Sequence, residues 1–316
     1  MVNDELLKSK KRRRMIQNVE GWLISLIPFV GFLLFTAVPM VISLYVSFTD
    51  VTDMYFEWDE LASLSFGNYI RLFRESETFA LVCKTFVNTI YYTLNIPFTM
   101  AIGLWIANLL SKNIVLRRLF RTVFFVPYVC SITAVALTWQ MMYSNEGFFN
   151  VLSGLLGLPS QEWLYDSHLF MPAVIMMTVW CRLGYVIILY QAALCNFNQT
   201  YIEAARLDGA SNFYIFWKII FPLITPTTFY LLTMKLISSL QMMVEAQVLA
   251  SGTIYPSGPD DSGYTVVYYL YNMSIAYPEK YGFGISAALS WLFSLFILLI
   301  TGLNFKLANK WVHYDN

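Results

Sequence analysis

From Trp22 to Phe48 the chain runs without a charged residue. That is longer than the roughly 20 residues that cross a ~30 Å hydrocarbon layer at 1.5 Å per residue. Apolar runs recur at 85–110, 119–143, 169–193, 223–250 and 282–305. In lipid each can satisfy its own backbone hydrogen bonds only as a helix, so the pattern predicts an all-α membrane protein with six transmembrane helices. Pro28, Pro39, Pro97, Pro127 and Pro172 fall inside these runs and predict kinks, because proline removes a donor and crowds the preceding turn. The first run is too long for a signal peptide and has no small-x-small cleavage site, so it reads as an uncleaved span. The segments at 50–80, 144–168 and 251–281 are each too short for a core of their own. The expected organisation is a tail at 1–21, one membrane domain at 22–307 with a loop at 195–222, and a second tail at 308–316.

Charge orients this picture. Only 13% of the 316 residues are charged, against about 25% in an ordinary soluble domain. Lysine plus arginine equals aspartate plus glutamate at 20 each, so the balance points to no nucleic-acid partner. If the chain starts in the cytoplasm, the inside segments hold Lys8, Lys10, Lys11, Arg12, Arg13, Arg14, Lys112, Arg117, Arg118, Arg121, Arg206, Lys218, Lys306 and Lys310. The outside loops then hold only Arg71, Arg74, Lys84 and Lys280. Such a bias sets topology and predicts that both termini are cytoplasmic; the basic stretch Lys8 to Arg14 reads first as fixing that orientation and only second as a contact for anionic membrane lipid. Cys83, Cys130, Cys181 and Cys195 form no C-x-x-C pair, and His168 and His313 stand alone, so neither a disulfide framework nor a metal site is expected.

Between the fourth and fifth runs stands Asn198-Gln199-Thr200-Tyr201-Ile202-Glu203-Ala204-Ala205-Arg206-Leu207-Asp208-Gly209-Ala210, followed by Ile219, Phe221 and Pro222. Thr200 and Glu203 have capping-box spacing, which predicts a short helix starting there. Ala204 and Ala205 favour helix and keep its surface low, and Asp208-Gly209 supplies a turn that accepts positive φ. The loop reads as a short helix, a sharp turn and a second segment returning to the membrane before Pro222. Taken alone, that description also fits an ordinary capped connector.

These residues resemble the E-A-A-x3-G-x9-I-x-L-P signature of permeases of binding-protein-dependent ABC importers. Glu203, Ala204, Ala205, Gly209, Ile219 and Pro222 match, and Phe221 replaces the leucine. The similarity extends over most of the chain and points to the sugar-importer branch, with the larger maltose subunit and the glycerol-phosphate permeases. It is carried by Pro39 to Asp50, Phe66-Gly67-Asn68-Tyr69, Asn88-Thr89, Trp163-Leu164 and Gly258-Pro259. Two departures are a short first outer loop and Ser257 in place of a glycine before Gly258-Pro259.

The resemblance implies an ABC importer permease fold with a cytoplasmic coupling helix, in which Glu203, Ala204, Ala205, Asp208 and Gly209 meet an ATPase. It implies half of a translocation pathway for a carbohydrate, an oligosaccharide by preference, in a bacterial cytoplasmic membrane. The implied partners are a second permease subunit, two ATPase subunits and an extracytoplasmic solute-binding protein. The sequence holds no G-x-x-x-x-G-K-[ST] and no Gly-Lys dipeptide, so it cannot build the usual phosphate cradle. The chain is therefore expected to be no enzyme and to bind no cofactor; ATP and Mg belong to the partner ATPase.

Arg182 and Lys235 lie inside apolar runs, where a cation costs roughly 2.5–3.5 kcal/mol on insertion scales. Ser238 and Ser239 follow Lys235 by about one turn on the same face, and Tyr185 follows Arg182 by three positions. One reading makes Arg182, Tyr185, Lys235, Ser238 and Ser239 the lining of the solute route, which favours an acidic saccharide. The other makes the cations structural, bonded to a neighbouring helix with Glu245 as a partner. Trp180 and Tyr230 are further candidates for stacking on sugar, although rings in membrane spans usually serve packing or interfacial belts. Among rival classes, a membrane enzyme lacks H-E-x-x-H and G-x-S-x-G. An ion-coupled secondary transporter would need no ATPase, and a permease for a non-sugar solute would differ only in what the binding protein delivers.

Overall fold

A computed structural model of the chain describes residues 17–18, 20–52, 61, 64–111, 116–196, 200–277 and 282–313. The basic stretch Lys8 to Arg14, Lys112, Asn198, Gln199 and Lys280 lie outside the described residues. Among the described residues all regular structure is helical. In order these are α1 (Glu20–Val46), α2 (Gly67–Arg74), α3 (Ser76–Ser111), α4 (Arg117–Val129), α5 (Ile132–Met142), α6 (Phe148–Leu155) and α7 (Ser167–Asn196). There follow α8 (Thr200–Leu207), α9 (Asn212–Leu223), α10 (Thr225–Leu240), α11 (Val244–Ala250), α12 (Val266–Tyr271) and α13 (Phe283–Ala308). Four of them, α1, α3, α7 and α13, are long and apolar enough to cross a membrane, and the number reaches six if each bent pair, α4 with α5 and α9 with α10, is one span.

The kink predicted at Pro127 is present as a sharp bend, and a second apolar run breaks where no proline stands. The run at 119–143 bends by 100° between α4 and α5. Cys130 and Ser131 are extended there, at ψ 151° and 130°, three residues after Pro127. The run at 223–250 is also broken: α10 ends at Leu240, Met243 takes φ −143° and ψ −58°, and α11 sets off separately. A hydropathy window sees neither break, because one or two polar residues such as Ser131 or Gln241 are averaged into the long apolar runs on either side. The segment at 251–281 is more than a connection, since Val266, Tyr268 and Tyr269 of α12 are buried.

Polar side chains inside the spans are absorbed by the helices that carry them. Thr89, Thr99 and Thr178 donate to the carbonyls of Thr85, Asn95 and Val174, one turn back, which removes an unpaired hydroxyl from lipid. Where α3 is interrupted at Thr93 and Leu94, ahead of Pro97, the Asn95 amide donates to the Tyr92 carbonyl at 2.6 Å.

Close approach between helices uses small residues, as expected where lipid supplies no hydrophobic drive between spans. A Cβ on Gly184 of α7 would lie 2.3 Å from the Phe124 carbonyl oxygen of α4, and one on Gly103 of α3 would lie 2.6 Å from the Val186 side chain. The core has three main clusters. One joins α5, α7 and α11 through Trp139, Met177 and Ala246. A second joins α3 and α7 with the start of α10 through Ala107, Ile187 and Leu231. The third joins α2, α12 and α13 through Leu72, Tyr269 and Leu289.

Hydrogen bonds fix which helix ends lie together. Arg121 Nε of α4 donates to Gln191 Oε1 near the end of α7. The His313 amide beyond α13 donates to Thr225 Oγ1 at the start of α10. At the other end, the Asn68 amide donates to the carbonyls of Ser47 and Thr49, and the Gly284 amide donates to the Val51 carbonyl. Phe66-Gly67-Asn68-Tyr69 is thus the clip that holds the exit of α1. Before Val46 no residue of α1 is buried, and its apolar side chains stay exposed.

Candidate functional site

The loop after α7 folds into a hairpin. α8 begins at Thr200 and carries Glu203, Ala204 and Ala205; none of its residues is buried. Gly209 takes φ +80°, the left-handed conformation that glycine adopts most readily. The Gly209 amide donates to the Arg206 carbonyl and the Ala210 amide to the Ala205 carbonyl. These two bonds make a Schellman turn, which satisfies carbonyls that the helix end would leave free. Asp208 precedes the turn and donates its amide to the Ala204 carbonyl. Ser211 then starts α9, its side chain accepting from the Tyr214 amide. Nothing in the chain lies within 4 Å of a Cβ built on Gly209. The hairpin therefore presents a small-residue, solvent-facing turn.

The second half of the motif holds a feature the residue pattern did not announce. Phe216–Ile220 is a π-helical turn, and Pro222 opens a new short turn directly after it. Together they lead into the 65° bend from α9 to α10. A π-turn carries one residue more than an α-turn would, and such turns inside helices are frequent at functional sites.

A cavity of about 180 Å³ lies among α3, α4, α7, α10 and α11. It brings together all five residues singled out as a candidate solute route: Arg182 and Tyr185 of α7, and Lys235, Ser238 and Ser239 of α10. Sequence reasoning missed Tyr92 and Asn95 of α3, Tyr128 of α4 and Met234 of α10, which complete the wall with Thr178, the neighbour of Arg182, and Glu245 of α11.

Two ties hold the wall. Asn95 Nδ2 donates to Ser239 Oγ at 3.0 Å, and Tyr92 Oη shares a 3.0 Å hydrogen bond with Thr178 Oγ1. The break in α3 before Pro97 is what frees Asn95 to reach across, and a polar residue beside a proline inside an apolar run is a signal that could have found it. Tyr185 stacks on Tyr128 with centroids 5.1 Å apart, and its hydroxyl meets that of Tyr230 at 3.3 Å.

Charge in the cavity is uneven. Arg182 Nη2 donates to Glu245 Oε1 at 3.2 Å, with the Glu245 side chain only 10% exposed. Arg182 is thus both a wall residue and a structural partner of Glu245, so the two readings of this cation are not exclusive. Among the described residues Lys235 forms no hydrogen bond or ion pair. Trp180 does not join this wall. It faces an apolar groove of about 670 Å³ in the bend between α4 and α5, with its ring 5.5 Å from Trp139.

Residues 99–312 match the family described as binding-protein-dependent transport system inner membrane component. The chain is 30% identical to the probable ABC transporter permease protein YesP of Bacillus subtilis, over 99% of this chain and 97% of that one. It is 26% identical to the lactose transport system permease protein LacF of Rhizobium radiobacter, over 96% of this chain and 98% of that one. Among solved structures, a bacterial ABC transporter involved in import of the acidic polysaccharide alginate superposes with a TM-score of 0.76 at 21% identity, covering 94% of this chain and 99% of that one. That likeness concerns the fold.

Proposed function

The chain belongs to the family of binding-protein-dependent transport system inner membrane components, and on that premise we propose that it forms half of the pathway of an ATP-driven importer for an oligosaccharide. It is a multi-pass membrane transport component and not an enzyme; ATP is hydrolysed on a separate chain in such systems. In this reading the cavity is where the solute passes, and the hairpin around Gly209 is where the ATPase pushes. Tyr185 and Tyr128 offer flat faces to sugar rings, and Ser238, Ser239 and Asn95 offer hydrogen bonds to hydroxyls.

One observation carries the reading. The hairpin sits in the chain between the two helices that supply most of the cavity wall. α7 is an unbroken helix of 30 residues, about 45 Å long at 1.5 Å per residue. It bears Thr178, Arg182 and Tyr185 and ends just before the hairpin. α10, with Lys235, Ser238 and Ser239, is entered from the hairpin through α9 and its π-turn. A displacement of α8 therefore reaches both walls through the backbone, which is the linkage a permease without its own ATPase requires. Topology follows the lysine and arginine bias, with the hairpin and both termini in the cytoplasm of a bacterial inner membrane. The working complex contains a second permease subunit, two ATPase subunits holding ATP and Mg, and a solute-binding protein.

The test is reconstitution of that complex in liposomes with ATP inside and labelled oligosaccharides outside. Uptake that needs ATP and the binding protein is expected. Uptake driven by an ion gradient without ATP would replace this reading with a secondary transporter.

A further inference from the structure

The cavity holds three charged side chains and two of them are matched. Glu245 is committed to Arg182 at 3.2 Å, which leaves the Lys235 ammonium as the surplus charge of a site whose net charge is +1. Nothing else on the wall can balance it: the remaining lining residues are tyrosines, serines, an asparagine, a threonine and a methionine. An ammonium held away from bulk water without a counter-ion favours whatever brings it an anion.

We infer that Lys235 receives the carboxylate of an acidic saccharide in transit, so that the permease itself selects for uronate-type sugars; this rests on the importer reading given above. The surroundings of Lys235 fit such a ligand on three sides. Ser238, one turn along α10, is exposed to the cavity and makes no hydrogen bond among the described residues, so it is available to a sugar hydroxyl. The stacked rings of Tyr128 and Tyr185 supply an aromatic surface for a pyranose face. The ammonium is a compact point charge with three donors that can follow a moving carboxylate, as a rigid guanidinium fork would not. A neutral sugar would use the rings and hydroxyls and leave the charge unanswered.

The experiment uses the full complex in liposomes and compares uptake of trigalacturonate with that of its carboxyl-reduced, neutral counterpart. Because the same solute-binding protein serves wild type and variant, its own selectivity cancels when the two uptake ratios are compared. The acid-to-neutral ratio is expected to fall at least tenfold in Lys235→Met and in Lys235→Gln, and to stay within about threefold of wild type in Lys235→Arg. Loss of both sugars in equal proportion overturns the inference and assigns Lys235 to a structural bond or to a carboxylate on the partner permease. A wild-type complex that carries both sugars equally well overturns it without any variant. Either result leaves oligosaccharide import standing, whereas absence of ATP-dependent uptake of any saccharide defeats the importer reading itself.

Discussion

Arg182 and Glu245 stand 63 positions apart in the chain and meet at 3.2 Å, pinning the short helix α11 to the middle of α7. Glu245 is the more enclosed of the two, at 10% exposure against 35% for Arg182. Removing either partner strands the other charge, which for a fully buried pair costs about 3–5 kcal/mol. Exposure of Arg182 to the cavity reduces this to roughly 1–3 kcal/mol. Glu245→Gln and Arg182→Met are each expected to lower the melting temperature of the purified complex by several degrees. The double variant Arg182→Met with Glu245→Met should recover more than half of the loss. Equal melting temperatures for all four proteins would show that the pair does not hold α11.

Gly209 tests the hairpin. Its φ of +80° costs a larger residue about 1–2 kcal/mol, and no atom of the chain stands in the way of a side chain. Gly209→Leu should therefore leave the subunit assembled in the membrane with a small loss of stability. ATP-driven uptake should fall by a factor of ten or more, because the added side chain occupies the surface offered to the ATPase. Unchanged uptake in Gly209→Leu would reduce α8 to a connector.

Gly184 and Gly103 should behave differently from each other. An alanine at position 184 would meet backbone, the Phe124 carbonyl oxygen at 2.3 Å and Phe125 Cα at 2.7 Å, whereas at position 103 it would meet the Val186 side chain. Backbone cannot step aside without moving α4. Gly184→Ala is expected to cost about 2–3 kcal/mol and Gly103→Ala about 1–2 kcal/mol, both from overpacking. Melting temperatures in detergent would rank the two, and the reverse order would contradict the packing of α4 on α7.

Orientation can be read by chemical labelling in a background lacking Cys83, Cys130, Cys181 and Cys195. Leu207 is 89% exposed in the hairpin and Ile254 is 78% exposed in the loop after α11. A membrane-impermeant maleimide should modify Ile254→Cys in intact cells and Leu207→Cys only in inverted vesicles. The opposite pattern would turn the proposed topology over.

Much of this site was legible in the residues, and the part that was not has a physical reason. The hairpin could be read because its grammar is local: a glycine after Asp208 and two alanines behind Glu203 specify a helix and its stop within ten residues. Arg182 and Lys235 were visible because charge inside an apolar run is costly enough to demand a purpose. Glu245 was read as a partner for these cations, and the structure gives it to Arg182, but nothing near Arg182 in the chain decides between Glu245 and solute. The bend at Cys130 was legible as a kink but not in its size of 100°. Pro127 advertises a kink, but the turn is completed by contacts from elsewhere, where Gln140 of α5 donates to the carbonyls of Val248 and Leu249 at the end of α11. Tyr92 and Asn95 escaped notice because a hydroxyl or amide in a helix looks alike whether it seals a turn or faces a cavity.

The first helix has a consequence for how the subunit should be handled. Clipped at Ser47 and Thr49 by the Asn68 amide and packed with α13 only towards its end, where Val46 joins Ala287 in a buried cluster, α1 behaves over its first half as an outrigger and not as part of the hull. Trimming the part before Val38 would sacrifice few internal contacts, so heat should melt a shortened subunit at nearly the temperature of the full one. What trimming would change is how the remaining body sits in its surroundings, and the yield of intact assemblies is the quantity that would register the loss.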